Sequence, residues 1–522
     1  MPTLEKLKFL RLQNLKMKNF LFRKNKYLVS FSLGSILSLI LPPYSYTALG
    51  FLIFPTLLYL LFANRDQTGK SIFYIGFLFG YGYFLFSLYW ITHSLNFDDN
   101  LAILKPLTLV VLPSVIAVFY GLASMLIKKS ISNNFYFIVV FSVALSSLDF
   151  LRGHLFFDFP WNLFAYTWSW SLESLQILGF VGTYSLNLFT IFIFCLPYLA
   201  LKHFHYKKLF IIVSFLAFIL CANFFFGQSI INNNNLKIIS NFKVVLLQPN
   251  QKIVDLTLAN NEEQYVNKLI SISKPKMYKD IQTLFVWPEG VLFNLDNSRI
   301  YKKLFYDNFS NNHNIVLGSV RYEGNKFYNS LVLFNNQAEI LSSYDKINLV
   351  PFGEVIPFYS LLEKINLKKI TFGYGSFSKG KKRKPVTLNI NNIKFLPLIC
   401  YEIIFSGSID TEKKEYDFIL NISEDGWFNR SIGTVQHFVH SKYRAIEQGK
   451  QVVRSTNQGL TSSIMPNGRL AKTTDFTNQS SIAVDIYKLN KKTLFSEFEN
   501  TIFYLLTFVS CIFIFLFRKN NE

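Results

Sequence analysis

The chain has 522 residues, enough for two or more domains, and is 51% apolar with 57 phenylalanines. Its formal charge of +21 is largely explained by short loops between apolar stretches and by the run Lys379–Lys384, read here as a solvated loop, so a nucleic-acid partner is set aside. Four cysteines, three of them inside apolar stretches, exclude a disulfide framework.

Residues 1–26 form a basic N-terminus carrying Lys6, Lys8, Arg11, Lys16, Lys18, Arg23, Lys24 and Lys26. Apolar stretches follow at 27–43, 46–63, 71–93, 105–127, 134–151, 176–200 and 208–226, with one more at 501–517. Crossing a hydrocarbon core takes about 20 helical residues, so these stretches predict eight spans. Pro55 interrupts the second, and Asp149 and Arg152 end the fifth. No small-residue cleavage site follows the basic N-terminus, which argues against a signal peptide. Alternate loops carry Arg65 and Lys70, Lys128 and Lys129, and Lys202, Lys207 and Lys208, as the positive-inside rule requires of cytoplasmic loops. The predicted organisation is a cytoplasmic segment 1–26, a seven-helix membrane domain 27–226, an outer domain 227–500, a last span 501–517 and a cytoplasmic tail 518–522. Trp161, Trp168 and Trp170 read as an interfacial belt or a lipid contact.

After the linker Asn232–Asn235, short runs rich in Val, Ile, Leu and Phe predict strands at 243–248, 284–287, 315–318, 330–334, 395–400, 417–422, 451–454 and 481–485. Helices are predicted at 259–273, 298–311 and 433–449. This alternation predicts an α/β layered domain. Three positions at the ends of apolar runs carry chemistry: Glu289 in Leu284-Phe-Val-Trp-Pro-Glu-Gly290, Lys346 at the head of a segment reaching Glu354, and Cys400, the one cysteine outside an apolar stretch. A thiol becomes a strong nucleophile as thiolate, which a neighbouring base or ammonium makes accessible. Glu289 then reads as base, Lys346 as stabiliser of an oxyanion and Cys400 as nucleophile. Each also has an ordinary use: a helix-start carboxylate, a surface lysine, a small buried hydrophobe. No His, Cys, Asp or Glu spacing points to a metal, and the chemistry asks for no cofactor.

Trp287-Pro-Glu289, Lys346 with Leu349-Val-Pro-Phe-Gly-Glu354, and Cys400-Tyr-Glu402 resemble the Glu-Lys-Cys motifs of the nitrilase superfamily. With the multispan region, Phe159-Pro-Trp161, Tyr328-Asn-Ser330, Asn421–Phe428, Gln436-His437, Arg444–Glu447 and Arg454–Gly459, the chain resembles the bacterial apolipoprotein N-acyltransferase family within it. The resemblance implies an extracytoplasmic αββα sandwich on a transmembrane helical bundle, in the bacterial inner membrane with the catalytic domain facing the periplasm. It implies ping-pong acyl transfer from a phospholipid donor, through a Cys400 thioester, to a diacylglyceryl apolipoprotein. Glu289, Lys346 and Cys400 carry the catalytic roles; Glu354 orients the lysine, Tyr401 and Glu402 shape and support the pocket, and Asn329 and Trp427 are supporting or substrate-binding. The sequence departs from the family's pattern at Gly290, Asn348 and Glu424. Two alternatives stay open: a membrane-tethered nitrilase-like amidase, and a silent membrane scaffold.

Overall fold

The structure is a computed structural model and describes residues 24–97, 102–132, 134–155, 158–201, 206–233, 236–252, 262–292, 298–355, 376–409, 415–489 and 491–518. The first 23 residues of the expected basic N-terminus, and residues 259–261 of one expected helix, lie outside these.

All eight apolar stretches contain helix. They include α1 (Lys26–Leu37), α2 (Gly50–Ala63), α3 (Gly69–Leu88), α4 (Lys105–Leu126), α5 (Phe135–Arg152), α6 (Leu178–Cys195) and α7 (Tyr206–Asn233). Among the described residues five helices are long and apolar enough to cross a membrane, whereas Lys26–Ile40 and Thr47–Ala63 are shorter than the spans expected of them, and the C-terminal Thr501–Phe517, also a shorter apolar helix, has the bounds expected of it. The first is cut short because Pro42 and Pro43 cannot continue a helix. Pro55, by contrast, is absorbed inside α2. Helices α1, α3 and α4 approach closely through glycines: a Cβ on Gly34 would sit 1.8 Å from Phe79 O, and one on Gly76 2.1 Å from Ser124 Oγ. Much of α7 is exposed apolar surface, including Phe210, Ile211, Phe215 and Phe218, as a lipid-facing helix requires.

Residues 236–489 hold two six-stranded sheets and a two-stranded ribbon. One has the order β13-β2-β3-β4-β5-β6, built from β2 (Phe242–Gln248), β3 (Gln282–Val286), β4 (His313–Glu323), β5 (Lys326–Phe334), β6 (Ile340–Asp345) and β13 (Ser480–Val484). The other runs β12-β11-β10-β9-β8-β7, from β7 (Val386–Thr387), β8 (Lys394–Ile399), β9 (Phe418–Ser423), β10 (Gln451–Thr456), β11 (Ser462–Ile464) and β12 (Leu470–Thr473). A two-stranded ribbon pairs β1 (Leu236–Ile238) with β14 (Tyr487–Leu489). The central strands β2-β3-β4 and β8-β9-β10 are parallel. All eight predicted strands are present; β1, β6, β7, β11, β12 and β14 were not predicted.

Successive side chains on a strand face opposite sides, and here each side has its own core. Val244, Leu246, Leu284 and Val286 meet Phe395, Ile399, Phe418, Leu420 and Ile422 between the sheets. Val245, Leu247, Phe285 and Trp287 pack outward against α8 (Glu262–Ser273) and α9 (Ser298–Asn308). Leu396, Leu398, Ile419 and Val452 pack outward against α10 (Ile432–Gln448), which in turn shares one core with the apolar helices. The result is the αββα order, with α10 wedged between the second sheet and the bundle; α11 (Thr501–Phe517) leads away from it.

Two polar joints fix that docking. Helix α6 breaks at Gly182, whose φ of 75° a side chain rarely adopts and where a Cβ would lie 2.0 Å from the Phe495 ring. The Thr183 amide, at the break, donates to Glu447 Oε1 of α10 at 2.7 Å, and Arg444 pairs with Glu447 at 2.6 Å. At the end of α5, Arg152 pairs with Asp149 at 2.8 Å and donates to Phe159 O (3.0 Å) and Trp161 O (2.7 Å). The charges expected to end a span thus also hold the loop 158–162. Trp161 Nε1 donates to Gln436 Oε1 of α10 at 2.8 Å. Trp161 and Trp168 are only 2% and 7% exposed, so the interfacial belt is corrected: α10 covers Trp161, Trp168 packs on Thr190 and Phe194 of α6, and only Trp170 of the three is exposed.

Candidate active site

Strand ends converge where α/β sheets place their sites. Chain leaves β3 through Trp287-Pro288 into Glu289, whose Cα is so close to Gly318 that a Cβ there would approach to 2.5 Å. Lys346 follows β6 directly and is fixed by its amide on Asn329 O of β5 at 2.8 Å. Cys400 follows β8 and opens a one-turn 3-10 segment, Cys400–Ile404. Its φ of 48° lies in the left-handed region, a strained conformation of the kind that clusters at functional sites.

These ends bring the predicted trio together. Lys346 Nζ, 1% exposed, lies 3.2 Å from Glu289 Oε1 and 3.0 Å from Glu354 Oε1. Asn329 Nδ2 donates to the same two oxygens, at 2.7 and 2.6 Å. The second oxygen of each carboxylate takes a backbone amide: Glu424 N on Glu289 Oε2 (2.9 Å) and Val350 N on Glu354 Oε2 (2.8 Å). Burial opposes charge on Lys346, but Glu289 and Glu354 outweigh it and hold its proton affinity well above the usual lysine range. It is an ammonium throughout the working range.

Burial, then Glu289, push the Cys400 thiol up strongly, and Lys346 offsets only part of this. Cys400 therefore rests as a thiol, and any attack through its sulfur would need a base to take the proton. The Cys400 carbonyl faces His437 Nε2 at 3.3 Å, and His437 Nδ1 faces Asp425 Oδ1 at 2.9 Å. Asp425 is held by Arg454 Nη2 at 2.7 and 2.8 Å. Burial and Arg454 lower the His437 proton affinity, against Asp425 and the Cys400 carbonyl, which raise it.

Glu402 is fully buried and ties the Cys400 turn to the lysine loop. It accepts from Ile399 N (2.8 Å), Ile347 N (2.9 Å), Asn348 N (3.2 Å) and Tyr344 OH (2.7 Å). Its counter-ion is Arg383 at 2.7 Å. The expectation of a solvated loop at Lys379–Lys384 is corrected here: the four lysines are exposed, but Arg383 is 1% exposed because a buried carboxylate draws it inward. Burial raises the Glu402 carboxyl, but Arg383 and the donors outweigh it and keep the carboxyl below its ordinary value of 4.5. Arg383→Ala leaves that charge uncompensated and is expected to destabilise the domain by about 3–5 kcal/mol. A depressed carboxyl contributes stability above its unfolded value and loses it as pH falls. Thermal unfolding in detergent should therefore show the wild-type advantage at neutral pH and its loss on acidification below about 4.5.

Of the supporting residues expected from the sequence, Asn329 and Glu354 touch Lys346 and Glu402 braces the turn. Tyr401 turns away, donating to Asp158 O of the helical part at 2.8 Å. Trp427 is half-buried, and its neighbour Phe428 packs on Trp90 and Trp161. Arg383 had no signal in the sequence. Asp425, His437 and Arg454 lay in quoted motifs without an assigned role. Among the described residues no cluster of His, Cys, Asp and Glu is arranged to hold a metal.

Residues 33–196 match the apolipoprotein N-acyltransferase N-terminal domain, and residues 246–488 match the carbon-nitrogen hydrolase domain. The chain is similar to proteins named apolipoprotein N-acyltransferase. One from Rhizobium rhizogenes is 29% identical over 495 residues, 91% of this chain and 92% of that protein. One from Rhodopseudomonas palustris is 30% identical over 456 residues, 84% and 85% of the two chains. Among solved structures, XC1258 of Xanthomonas campestris, a CN-hydrolase superfamily protein, is similar at 14% identity and a TM-score of 0.34, over 47% of this chain and 89% of that one.

Proposed function

The chain belongs to the apolipoprotein N-acyltransferase family, and on that premise we propose that it moves an acyl chain from a phospholipid, through a thioester on Cys400, to the α-amine of a lipoprotein's N-terminal diacylglyceryl-cysteine. This is the last step of lipoprotein maturation. Glu289 takes the thiol proton as Sγ bonds to the ester carbonyl carbon, and the negative charge passes to the carbonyl oxygen. Lys346 and a backbone amide beside Cys400 stabilise that oxyanion. The carbon–oxygen bond to glycerol breaks, Glu289 returns the proton to the departing oxygen, and a lysophospholipid leaves. The acceptor amine then attacks the thioester while Glu289 takes its proton. The carbon–sulfur bond breaks, the thiolate regains a proton, and the amide is the product.

The observation that carries this reading is one buried ammonium, Lys346, between Glu289 and Glu354 and within electrostatic reach of the Cys400 thiol. A bundle extending to residue 226, far more than a tether needs, supports entry of both lipid substrates from the bilayer. The alternating basic loops support seven spans within 27–226, the domain 227–500 in the periplasm and a final crossing at 501–517 of the inner membrane.

Mass spectrometry of the purified enzyme, incubated with phospholipid and no acceptor, tests the reading. The expected result is a hydroxylamine-sensitive acyl adduct on Cys400 that a diacylglyceryl peptide with a free amine discharges as an N-acyl product. Discharge to free fatty acid alone would identify a hydrolase instead, and an unmodified Cys400 in folded protein would exclude both.

A further inference from the structure

Buried carboxylates around the site each have a cation. Glu289 and Glu354 share Lys346, Glu402 has Arg383, Asp425 has Arg454 and Glu447 has Arg444. Glu424 is the exception. It is 6% exposed, and no Lys or Arg pairs with it among the described residues. Among the described residues its oxygens accept only from neutral donors, Gly426 N at 2.8 Å and Asn457 Nδ2 at 2.6 Å. Yet its own amide is one of the bonds that fix Glu289, on Oε2 at 2.9 Å.

We propose that Glu424 is a positioning residue of the transfer reaction that works as an uncharged acid: while protonated it stays folded into the site with its amide on Glu289, and ionisation expels it and releases Glu289. The inference rests on the acyl-transfer reading above and adds to it a residue and a pH limit.

Among the described residues, the charged and titratable groups packed on Glu424 leave it no counter-ion. Glu289 after β3 and Asp425 in its own turn are both anionic neighbours. Arg454 of β10 is engaged by Asp425, and Lys346 by its two carboxylates. On α8, Lys268 donates to Gln251 Oε1 at 2.7 Å. Tyr265, also on α8, is within electrostatic reach, and its buried hydroxyl has no hydrogen-bond partner. Burying an unpaired carboxylate is costly, so the group stays neutral or moves to water. Burial, with Glu289 and Asp425 adding to it, raises the carboxyl to about 8 against the opposing bonds from Asn457 and Gly426. Glu424 also caps the short 3-10 turn Asp425–Phe428, so its departure loosens the segment that carries Trp427 and Phe428.

Acyl-enzyme formation from phospholipid vesicles without acceptor keeps the acceptor amine's own titration out of the measurement. Initial rates from about pH 6 to about 9.5, each profile normalised to its own maximum, are compared for wild type, Glu424→Gln and Glu424→Asp. The wild-type rate is expected to fall above about pH 8, approaching tenfold per pH unit, as one ionisation requires. Glu424→Gln, which cannot ionise, should lack that limb and Glu424→Asp should retain one. Equal alkaline limbs in wild type and Glu424→Gln would overturn the proposal while leaving acyl transfer intact; absence of any wild-type acyl-enzyme would overturn the transfer reading and this inference together. Melting temperature supplies a readout independent of chemistry. A carboxyl with higher proton affinity folded than unfolded loses stability as pH rises, here from about 4.5 to about 8, and the glutamine variant should lack that slope. Should Glu424→Gln fail to fold, Glu424→Asn makes the same comparison, and a wild-type slope unchanged in the neutral variant counts against the proposal.

Discussion

Cys400→Ala is expected to bring lipoprotein N-acylation to background while the protein remains folded in the membrane. The loss should be on the order of 10⁶-fold, the size seen when a covalent nucleophile is removed from an acyl-transfer enzyme. No neighbouring thiol can take over: Cys195 is buried in α6, and Cys221 and Cys511 lie on α7 and α11. Folding should survive because Cys400 Sγ is a small buried group and the braces of its turn run through Glu402 and backbone amides. Alanine meets the same φ of 48° as cysteine, so the substitution adds no new backbone strain. The N-terminal peptides of lipoproteins from a strain carrying only the variant give the readout, since N-acylation adds one acyl chain to their mass. Normally N-acylated lipoproteins in that strain would end the assignment of Cys400. Cys400→Ser separates nucleophile from space-filler: it restores volume and a polar atom but should form its ester slowly and discharge it more slowly still.

The parts of this protein that could be read in its sequence are those whose environment is uniform along the chain. Strands β2, β3 and β9 are buried on both faces and so appear as runs dominated by Val, Leu, Ile and Phe, interrupted in β9 by Asn421. Edge strands lack that signature: β6, Ile-Leu-Ser-Ser-Tyr-Asp, and β12, Leu-Ala-Lys-Thr, are half exposed and their composition suits a loop equally well. Glu289, Lys346 and Cys400 could be singled out as candidates because Glu289 and Cys400 close apolar runs and Lys346 opens one, Ile347–Phe352. Arg383 could not, because it lies among exposed lysines and its burial is dictated by Glu402, which comes 19 residues later in the chain. Trp161 misled for a related reason. An aromatic just beyond an apolar stretch looks interfacial until α10, whose Gln436 is 275 residues further on, covers it. Glu424 stood out as a departure from the family's pattern, but its lack of a counter-ion is a property of the folded neighbourhood alone.

Lys346→Ala is expected to lower acyl-enzyme formation by about two to three orders of magnitude, the range for removing one oxyanion donor. The lysine has a second task that the same substitution abolishes. It is the cation between Glu289 and Glu354, which also share the Asn329 amide at 2.7 and 2.6 Å. Without the ammonium, two like charges remain on one buried donor, and one carboxylate has to take up a proton. If that one is Glu289, the base is lost together with the oxyanion contact. The two tasks separate in a double variant. Glu354→Gln combined with Lys346→Ala removes the repulsion and lets Glu289 stay ionised, but restores no donor to the oxyanion. It should regain part of the lost rate and no more, with the remainder measuring the oxyanion contact itself. Glu354→Gln alone should cost less than Lys346→Ala, because Glu289 and the ammonium still pair at 3.2 Å. Rates of adduct formation on Cys400 under single-turnover conditions give all four corners of the cycle. A Lys346→Ala rate within about threefold of wild type would contradict both tasks. A double variant no faster than Lys346→Ala would assign the whole effect to the oxyanion and leave the paired carboxylates a structural role.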